Sequence, residues 1–238
     1  MAVSPEGNTV AVATGWGLVK QIDLATGALL PSAKRHNDWV CAVTYSSDGR
    51  FLASAGGSEF TPERNGGKTS AEIKVWDRGA GAERGKLDGH TSKIFAAAFS
   101  PGGQTLTTGA ADQTIRLWDI GAMRERLVLR GHSDAISSLS WSGDGGTLAS
   151  ASWDHTVKLW EASSGNELAT LSGSEEELFC VAVSPDGQRV AAGGSDWNVR
   201  IWNLHSKELV AELSGHRGAV YAIAFSPDGK RLATGGRR

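Results

Sequence analysis

The stretch SPGGQTLTTGAADQTIRLWD, residues 100–119, decides the fold. It starts with a Ser-Pro-Gly-Gly turn, in which proline presets φ and glycine accepts a positive φ. A β-rich run at 105–109 follows, and a second tight turn leads into 114–119, where apolar and polar residues alternate. Alternation with a period of two is typical of a β-strand. The stretch therefore predicts a β-hairpin bounded by turns.

The same pattern recurs along the chain at an almost constant interval. Six Ser-x-x-Gly turns follow one another at steps of 42, 54, 42, 42 and 42 residues, and Trp-Asp-like and Gly-His pairs repeat in the same phase. The turns begin at Ser4, Ser46, Ser100, Ser142, Ser184 and Ser226; the pairs are Trp76-Asp77, Trp118-Asp119, Trp160-Glu161 and Trp202-Asn203, and Gly89-His90, Gly131-His132 and Gly215-His216. Such self-similarity is the sequence signature of a repeat architecture.

One period, residues 90–131, carries the signals of four strands. The fully apolar run 94–99 predicts a strand that is buried on both sides. The runs 105–109 and 114–119 predict two more, and 126–130 alternates with charged residues, as in an outer strand that faces solvent. Short connections between these runs predict an antiparallel meander.

The Gly-His and Trp-Asp pairs, the 42-residue period and the Ser-Pro-Asp-Gly turn resemble those of the WD-repeat β-propeller family. The resemblance covers the whole chain and implies an all-β fold, in which four-stranded antiparallel blades surround a central channel. It divides the sequence into repeat units at 1–35, 36–89, 90–131, 132–173, 174–215 and 216–238. The first and last units are incomplete, so about 5.5 blades and an incomplete ring are expected, with a parent propeller of about seven blades.

The resemblance also implies a buried hydrogen-bonded network in each blade, built from a His, a Ser or Thr, an Asp and a Trp. Carried over residue by residue, the network is complete twice, as His90, Thr108, Asp112 and Trp118 and as His132, Ser150, Asp154 and Trp160. It is partial in two other units, where Ser70 replaces Asp beside His36, Ser54 and Trp76, and where Asp196 and Trp202 accompany Ser174 and Ala192. Partial networks predict less rigid blades.

A Ser or Thr, a His and an Asp in one unit also resemble a hydrolase triad. This set recurs at fixed phase, as expected of a structural device, whereas an enzyme needs one converging site. The six histidines are spread over the repeats without Cys-x-x-Cys or His-Glu-x-x-His spacing, and no glycine pair opens a helix. The sequence therefore predicts no catalytic residue, no metal site and no cofactor.

Charge and composition restrict the class of partner. The chain has 24 basic and 26 acidic residues, so its net charge of −2 gives no reason to expect nucleic acid or a membrane surface. No apolar run approaches the length of a membrane span, and the N-terminus lacks the features of a signal peptide. Cys41 and Cys180 lie in apolar strand positions, where buried free thiols are common. We expect a cytoplasmic protein that binds a protein or a peptide.

Five tryptophans lie outside the Trp-Asp position; Trp141 is expected to be core, and the other four indicate a partner-binding face. These four are Trp16, Trp39, Trp153 and Trp197. In the family's geometry, the connections into first strands and the turns between second and third strands share one face, and these indoles belong to those loops. Exposed aromatic residues on loops are enriched at binding hot spots. The alternative is that each indole only covers the turn beneath it.

The single long step places a 12-residue insertion near residues 58–69, between second and third strands and on the same face. It contains Phe60 and Arg64, and loops on rigid scaffolds commonly carry recognition. A tolerated loop without a partner is the alternative. Lys93 and Glu177 share one phase on this face, and Glu177 ends an acidic run that is also typical of a solvated corner.

These observations predict a non-catalytic protein–protein interaction scaffold that acts by rigid display of loop side chains. The alternative is a sensor module of a larger signalling enzyme, such as a kinase, protease or NTPase, with catalysis outside this chain. A catalytic domain in the flanking sequence would favour the alternative.

Overall fold

A computed structural model describes residues 1–30, 35–58 and 70–237. Within these residues the regular structure consists of 21 β-strands, and no helix occurs among them. The strands form six antiparallel sheets, in each of which neighbours in the sheet are also neighbours in sequence. The predicted all-β fold with four-stranded antiparallel blades is confirmed.

Each sheet is one blade, and four of the six have four strands in the described residues. Blade 1 contains β1 (Ala2–Val3), β2 (Thr9–Ala13) and β3 (Val19–Asp23); blade 2 contains β4 (Val40–Tyr45), β5 (Phe51–Ser58), β6 (Ser70–Asp77) and β7 (Ala82–Leu87). Blade 3 contains β8 (Ile94–Phe99), β9 (Thr105–Ala110), β10 (Ile115–Asp119) and β11 (Arg124–Leu129); blade 4 contains β12 (Ile136–Trp141), β13 (Thr147–Ser152), β14 (Val157–Glu161) and β15 (Glu167–Leu171). Blade 5 contains β16 (Leu178–Val183), β17 (Arg189–Gly194), β18 (Val199–Asn203) and β19 (Leu209–Leu213); blade 6 contains β20 (Val220–Phe225) and β21 (Leu232–Gly236).

The Ser-Pro-Asp-Gly turn joins the first and second strands through local chemistry. In blade 5, the Ser184 hydroxyl donates to Asp186 Oδ1 at 2.5 Å and accepts from the backbone N–H of Arg189 at 2.9 Å. Gly187 closes the turn at a φ of +68°, with its N–H donating to the carbonyl of Ser184. The phrase therefore specifies its own turn wherever it occurs, because the partners are only a few residues apart.

The acid of the Trp-Asp pair caps the turn between third and fourth strands. Asp119 Oδ1 accepts from the N–H of Ala122 at 2.9 Å, and Met123 takes a positive φ of 50°. This tight turn lets β11 begin at Arg124, two residues before the predicted start of the outer strand. The sequence predicted this strand but started it two residues late, because the turn capped by Asp119 is shorter than expected.

In blades 2 to 5 the second strand is the most buried strand. All residues of β9 from Leu106 to Ala110 are buried. The first strand β8 was expected to be buried on both sides, but buried and half-buried residues are mixed along it. A β-bulge explains part of this difference, because the register of β8 against β9 skips Phe95.

The chain divides into two compact units, Met1–Val128 and Leu129–Arg238. Unit 1 has apolar clusters that include the buried Leu52 and Trp118. Unit 2 has clusters that include Leu159 and Trp202. In both units the Trp of the Trp-Asp position packs inside a cluster, where its large apolar surface contributes most to stability.

The flanks of the predicted insertion are paired with each other. Ser58, the last residue of β5, pairs with Ser70, the first residue of β6, and its backbone N–H donates to Ser70 Oγ at 3.1 Å. Each of these two strands has 8 residues, so this hairpin extends beyond those of the other blades. Phe60 and Arg64, which the sequence predicts to bind a partner, lie outside the described residues.

Candidate protein-binding surface

The structure brings together the His, Thr, Asp and Trp of blade 3. Asp112 Oδ2 lies 2.9 Å from His90 Nδ1, and Thr108 Oγ1 lies 2.8 Å from both His90 Nε2 and Trp118 Nε1. A carboxylate only accepts, so His90 donates through Nδ1 and accepts the Thr108 hydroxyl proton at Nε2. The hydroxyl oxygen then accepts from the indole, which satisfies every polar atom of the chain of hydrogen bonds.

Blade 4 repeats this geometry with serine in place of threonine. His132 lies 2.6 Å from Asp154 Oδ2 and 2.7 Å from Ser150 Oγ, and Trp160 Nε1 donates to Ser150 Oγ at 2.8 Å. The side chain of His132 is only 1% exposed, so a substrate has no access to it. The triad-like residues are therefore arranged as an internal brace, with the hydroxyl engaged on both sides.

Burial and hydrogen bonding act in opposite directions on the two aspartates. Burial raises the pKa of the Asp112 carboxyl, but hydrogen bonds from His90, Thr114 and the N–H of Thr91 outweigh it, and the pKa lies well below its usual range. The pKa of Asp154 is lowered in the same way, chiefly through its hydrogen bond with His132. Both carboxylates are thus charged acceptors at neutral pH.

Blade 2 includes acids in its network, although the sequence has Ser70 at the position where aspartate is expected. Ser70, at the expected aspartate position, donates to Asp38 Oδ2 at 3.2 Å, and Glu72 takes the place beside His36, with Oε2 3.2 Å from Nδ1. Burial lowers the pKa of His36 to about 4 despite this carboxylate. His36 also bonds to Ser54 Oγ. In the described structure, the buried Nε1 of Trp76 has no hydrogen-bond partner.

Blade 5 replaces the histidine by an arginine from the third strand. The guanidinium of Arg200 donates to Asp196 Oδ2 at 2.5 Å and to Glu212 Oε1 at 2.8 Å, and Ser174 donates to the same Asp196 oxygen at 3.3 Å. Arg200 is only 6% exposed. Lys74, Arg116 and Lys158 occupy the same phase and also pair with glutamates, a recurring ion pair that the sequence reading missed.

One backbone hydrogen bond joins the residue before the first strand to the end of the second strand in five blades. The residue before the first strand accepts, through its carbonyl, from an N–H at or just beyond the end of the second strand. The pairs, donor first, are Gly57 and Trp39 at 2.9 Å, Ala111 and Lys93 at 2.8 Å, Trp153 and Ala135 at 3.0 Å, Ser195 and Glu177 at 2.9 Å, and Arg237 and Ala219 at 3.1 Å. In blades 3, 4 and 5, the two kinds of loop that the sequence assigns to one face are therefore adjacent.

In unit 1, this surface contains two exposed tryptophans and a lysine that lies beside aromatic rings. Trp16 is 79% exposed and Trp39 is 48% exposed. The Nζ atom of Lys93 lies 5.4 Å from the centre of the Trp39 ring and 5.0 Å from that of Phe95, within the range of cation–π attraction. The turn that carries Trp16 contacts the Trp39 connection, because Val40 N donates to the carbonyl of Thr14.

In unit 2, the corresponding surface combines aromatic and acidic residues. Trp197 is 51% exposed and has a positive φ of 68°, Trp153 is half-buried, and Glu177 lies just before β16. Phe179 and Tyr221 stack with ring centres 5.0 Å apart and planes 2° from parallel. The sequence reading did not select these two rings or Phe95. All three follow the first residue of a first strand, and this shared phase could have revealed them.

Comparison with known proteins identifies repeats of one family along the chain. The family model described as "WD domain, G-beta repeat" matches residues 27–77, 81–119, 123–161, 165–203 and 207–237. A 40-residue segment is 50% identical to human Coronin-7, and this match covers 17% of the chain and 4% of the length of Coronin-7. Among the described residues, no helix is long and apolar enough to cross a membrane.

Proposed function

Because this chain belongs to the WD40 family of G-beta repeats, we propose that it is a non-catalytic scaffold that binds a protein or peptide partner. The proposed binding surface comprises the loops before the first strands and those after the second strands. WD40 domains typically bind proteins through such rigid, loop-bearing blades. The observation that carries the proposal is the exposure of three tryptophans, Trp16, Trp39 and Trp197, on these loops.

Large exposed indoles on short, hydrogen-bonded turns are suited to binding. Exposed apolar surface is unfavourable in water, and its burial against a partner recovers about 25 cal/mol per Å². The turn at Trp197 is held by the bond from Ser195 N to the carbonyl of Glu177 at 2.9 Å, so little backbone entropy is lost when a partner docks. Such pre-organisation is how a scaffold converts a few side chains into affinity.

The buried position of the His-Asp networks supports a role without catalysis. WD40 repeat domains are generally non-catalytic, and the side chain of His90 is fully buried beside Asp112. The nearly balanced charge of the chain favours a protein or peptide over nucleic acid or a membrane surface as the partner. A cytoplasmic location stays a prediction from the sequence.

Affinity capture with matched variants tests the proposal. The tagged chain, Trp39→Ala, Trp197→Ala and the control Val210→Ala are used to capture partners from cell extract, with thermal melting of each variant in parallel. Val210 is 59% exposed on the outer strand β19, so its loss removes apolar surface away from the loops. Loss of a partner by the tryptophan variants alone, at unchanged melting temperature, supports the proposal. Unfolding by Trp39→Ala or Trp197→Ala would instead show that the indoles are packing residues.

A further inference from the structure

Arg78 occupies a position that is apolar and buried in three other blades. It is the residue directly after the Trp-Asp pair, and its equivalents in blades 3, 4 and 5 are Ile120, Ala162 and Leu204. In blade 3, Ile120 and Phe99 belong to one apolar cluster. In blade 2, the guanidinium of Arg78 lies 4.9 Å from the ring centre of Tyr45, which has the phase of Phe99. Blade 2 therefore has a cation–π contact where blade 3 has an apolar contact.

The same guanidinium joins the first turns of two adjacent blades. Arg78 Nη1 donates to the carbonyl of Gly49 at 2.6 Å and to the two Glu6 oxygens at 3.2 and 3.4 Å. Gly49 belongs to the first turn of blade 2, and Glu6 belongs to the first turn of blade 1, between β1 and β2. A Cβ atom at Gly49 would collide with the Glu6 carboxylate, so this glycine leaves room for the ion pair. Among the described residues, no atom lies within 4 Å of a Cβ at the equivalent Gly187.

Tyr45 makes a second polar contact between the same two blades. Its hydroxyl donates to Gln21 Oε1 at 3.1 Å, and Gln21 lies in β3 of blade 1. Burial raises the pKa of the Tyr45 phenol, so this hydroxyl stays a donor at neutral pH. We call Glu6, Gln21, Tyr45 and Arg78 the clasp.

Apolar packing at this junction involves small side chains on the side of blade 1. Blade 1 contributes Ala2, Ala11, Ala13 and Val19 to the cluster that it shares with blade 2. Blade 2 contributes larger side chains to the cluster that it shares with blade 3, including Phe51, Ile73 and Leu87. Because hydrophobic stabilisation grows with the apolar area that is buried, the clasp carries a larger share of the attachment of blade 1.

The junction also aligns two loops of the proposed binding surface. His36 N donates to the carbonyl of Gly17 at 2.8 Å, and Val40 N donates to the carbonyl of Thr14 at 3.4 Å. The turn that carries Trp16 is thus bonded to the connection that carries Trp39. Opening of the junction between blades 1 and 2 would separate these two indoles.

We propose that Arg78 is a positioning residue for the binding surface, whose clasp holds blade 1 against blade 2 and makes the alignment of Trp16 with Trp39 sensitive to salt. The side chains of Arg78 and Glu6 are 24% and 46% exposed, so dissolved ions reach the pair and screen it. A partner that contacts both indoles binds the closed junction, and salt weakens this binding even without an ionic contact to the partner. The effect on a partner rests on the proposed scaffold function, whereas the salt response belongs to the free chain.

Native-state hydrogen exchange of the free chain, followed by nuclear magnetic resonance, tests the clasp. Exchange is measured at about 0.1 M and about 1 M sodium chloride, between which the screening length falls from about 10 Å to about 3 Å. We expect the protection of β2 amides to fall by about threefold, the size typical of a partly exposed ion pair. The amides of β13 in blade 4 should keep their protection. Unchanged protection of β2 would overturn the proposal.

Two variants remove the ion pair from opposite sides. Arg78→Leu introduces the side chain that Leu204 has at this phase and keeps an apolar contact with Tyr45. Glu6→Gln removes only the negative charge, on a turn residue, and serves where Arg78→Leu fails to fold. In both variants the salt response of β2 should disappear, and a full response in either folded variant contradicts the proposal.

Arg84→Leu provides the matched control. The guanidinium of Arg84 also lies beside a ring, 5.1 Å from the centre of Phe51, and Arg84 Nη2 donates to the carbonyl of Gly121 at 3.0 Å. This arginine thus bridges blades 2 and 3, so its loss should leave the salt response of β2 intact. Loss of the response in Arg84→Leu would show that the response does not come from the clasp.

Partner capture separates this inference from the general function. If capture depends on Trp16, as tested with Trp16→Ala, while β2 does not respond to salt, the scaffold function stands and the clasp is wrong. If β2 responds as expected but capture survives Trp16→Ala, the clasp is salt-sensitive and its role at the binding surface is wrong.

Discussion

Removal of one hydroxyl should destabilise blade 4 more than the identical change destabilises blade 2. Ser150 and Ser54 are both fully buried, and each bonds to the histidine of its blade. Ser150 also accepts from Trp160 Nε1 at 2.8 Å, whereas Trp76 Nε1 in blade 2 is buried without a partner in the described structure. Ser150→Ala therefore leaves two buried polar atoms unsatisfied, and Ser54→Ala leaves one.

Each orphaned buried group costs about 1–3 kcal/mol, so we expect a loss of about 3 kcal/mol for Ser150→Ala and about 1.5 kcal/mol for Ser54→Ala. Urea unfolding, followed by both tryptophan fluorescence and circular dichroism, measures these losses. The chain has two compact units, so the two probes must coincide before one free energy is extracted. Native-state hydrogen exchange of β13 and β5 gives the local values if they do not.

The two serine variants differ in the hydrogen bond to the indole and share the substitution itself. Equal losses of unfolding free energy in both would mean that the bond between Trp160 and Ser150 contributes nothing, and the reasoning from orphaned groups would be refuted. A larger loss of unfolding free energy for Ser54→Ala would mean that Ser150→Ala relieves strain elsewhere in blade 4. The comparison needs no absolute value of stability, because the two changes remove the same atoms.

Three further outcomes follow from the buried groups. The folded pKa of His36, about 4, lies below its unfolded value, so the stability that the neutral histidine contributes is present above pH ~6.5. The free energy of unfolding should therefore fall by about 2 kcal/mol between pH 7 and 5. Urea midpoints at the two pH values should show this decline, and His36→Gln should remove it. Burial raises the pKa of Cys180 to about 12, so a thiol reagent at neutral pH should label Cys180 only after urea is added, and rapid labelling of the native chain would contradict its burial. Arg200→Ala leaves Asp196 without its guanidinium partner and should cost about 3–5 kcal/mol of unfolding free energy, whereas the exposed control Arg217→Ala should change it by less than about 0.5 kcal/mol.

The features that the sequence predicted best depend on interactions over a few residues. The turn at Ser184 closes through Asp186 and the N–H of Arg189, all within one phrase, so the phrase alone specifies the turn. The period then places one hairpin after another. The residue sets of blades 3 and 4 were implied by the resemblance to the WD-repeat family and were located in the sequence by their phase.

The substituted networks could not be predicted from the repeat positions, because their side chains reach the buried site from different positions of the repeat. Glu72 lies two residues after the expected aspartate position and still contacts His36. Arg200 comes from the third strand, yet its long side chain brings a charge to the place of a missing histidine. A buried carboxylate can accept a hydrogen bond from any donor that reaches it. A repeat pattern compares only equivalent positions, so it does not reveal a donor that comes from a different position.

The sequence reading missed the aromatic residues of the first strands for a different reason, which is that their surroundings in the sequence resemble core. An apolar run such as residues 94–99 predicts core, and Phe95 has the composition of core. The bulge at this residue removes it from the register with β9, and its ring stands beside Lys93 instead. Bulges arise from the pairing of two strands, so a single strand's sequence does not reveal them.

The same bulge has a consequence for how such a chain can diversify. Five blades each set one residue of the first strand outside the register, and the chain has Cys41, Phe95, Ser137, Phe179 and Tyr221 there. The residue at that point can be replaced without shifting the strand pairing of the residues beside it. Gene duplication of one blade therefore supplies a position that can take on new chemistry. A protein engineer could randomise these five positions in a library while the strand register stays the same.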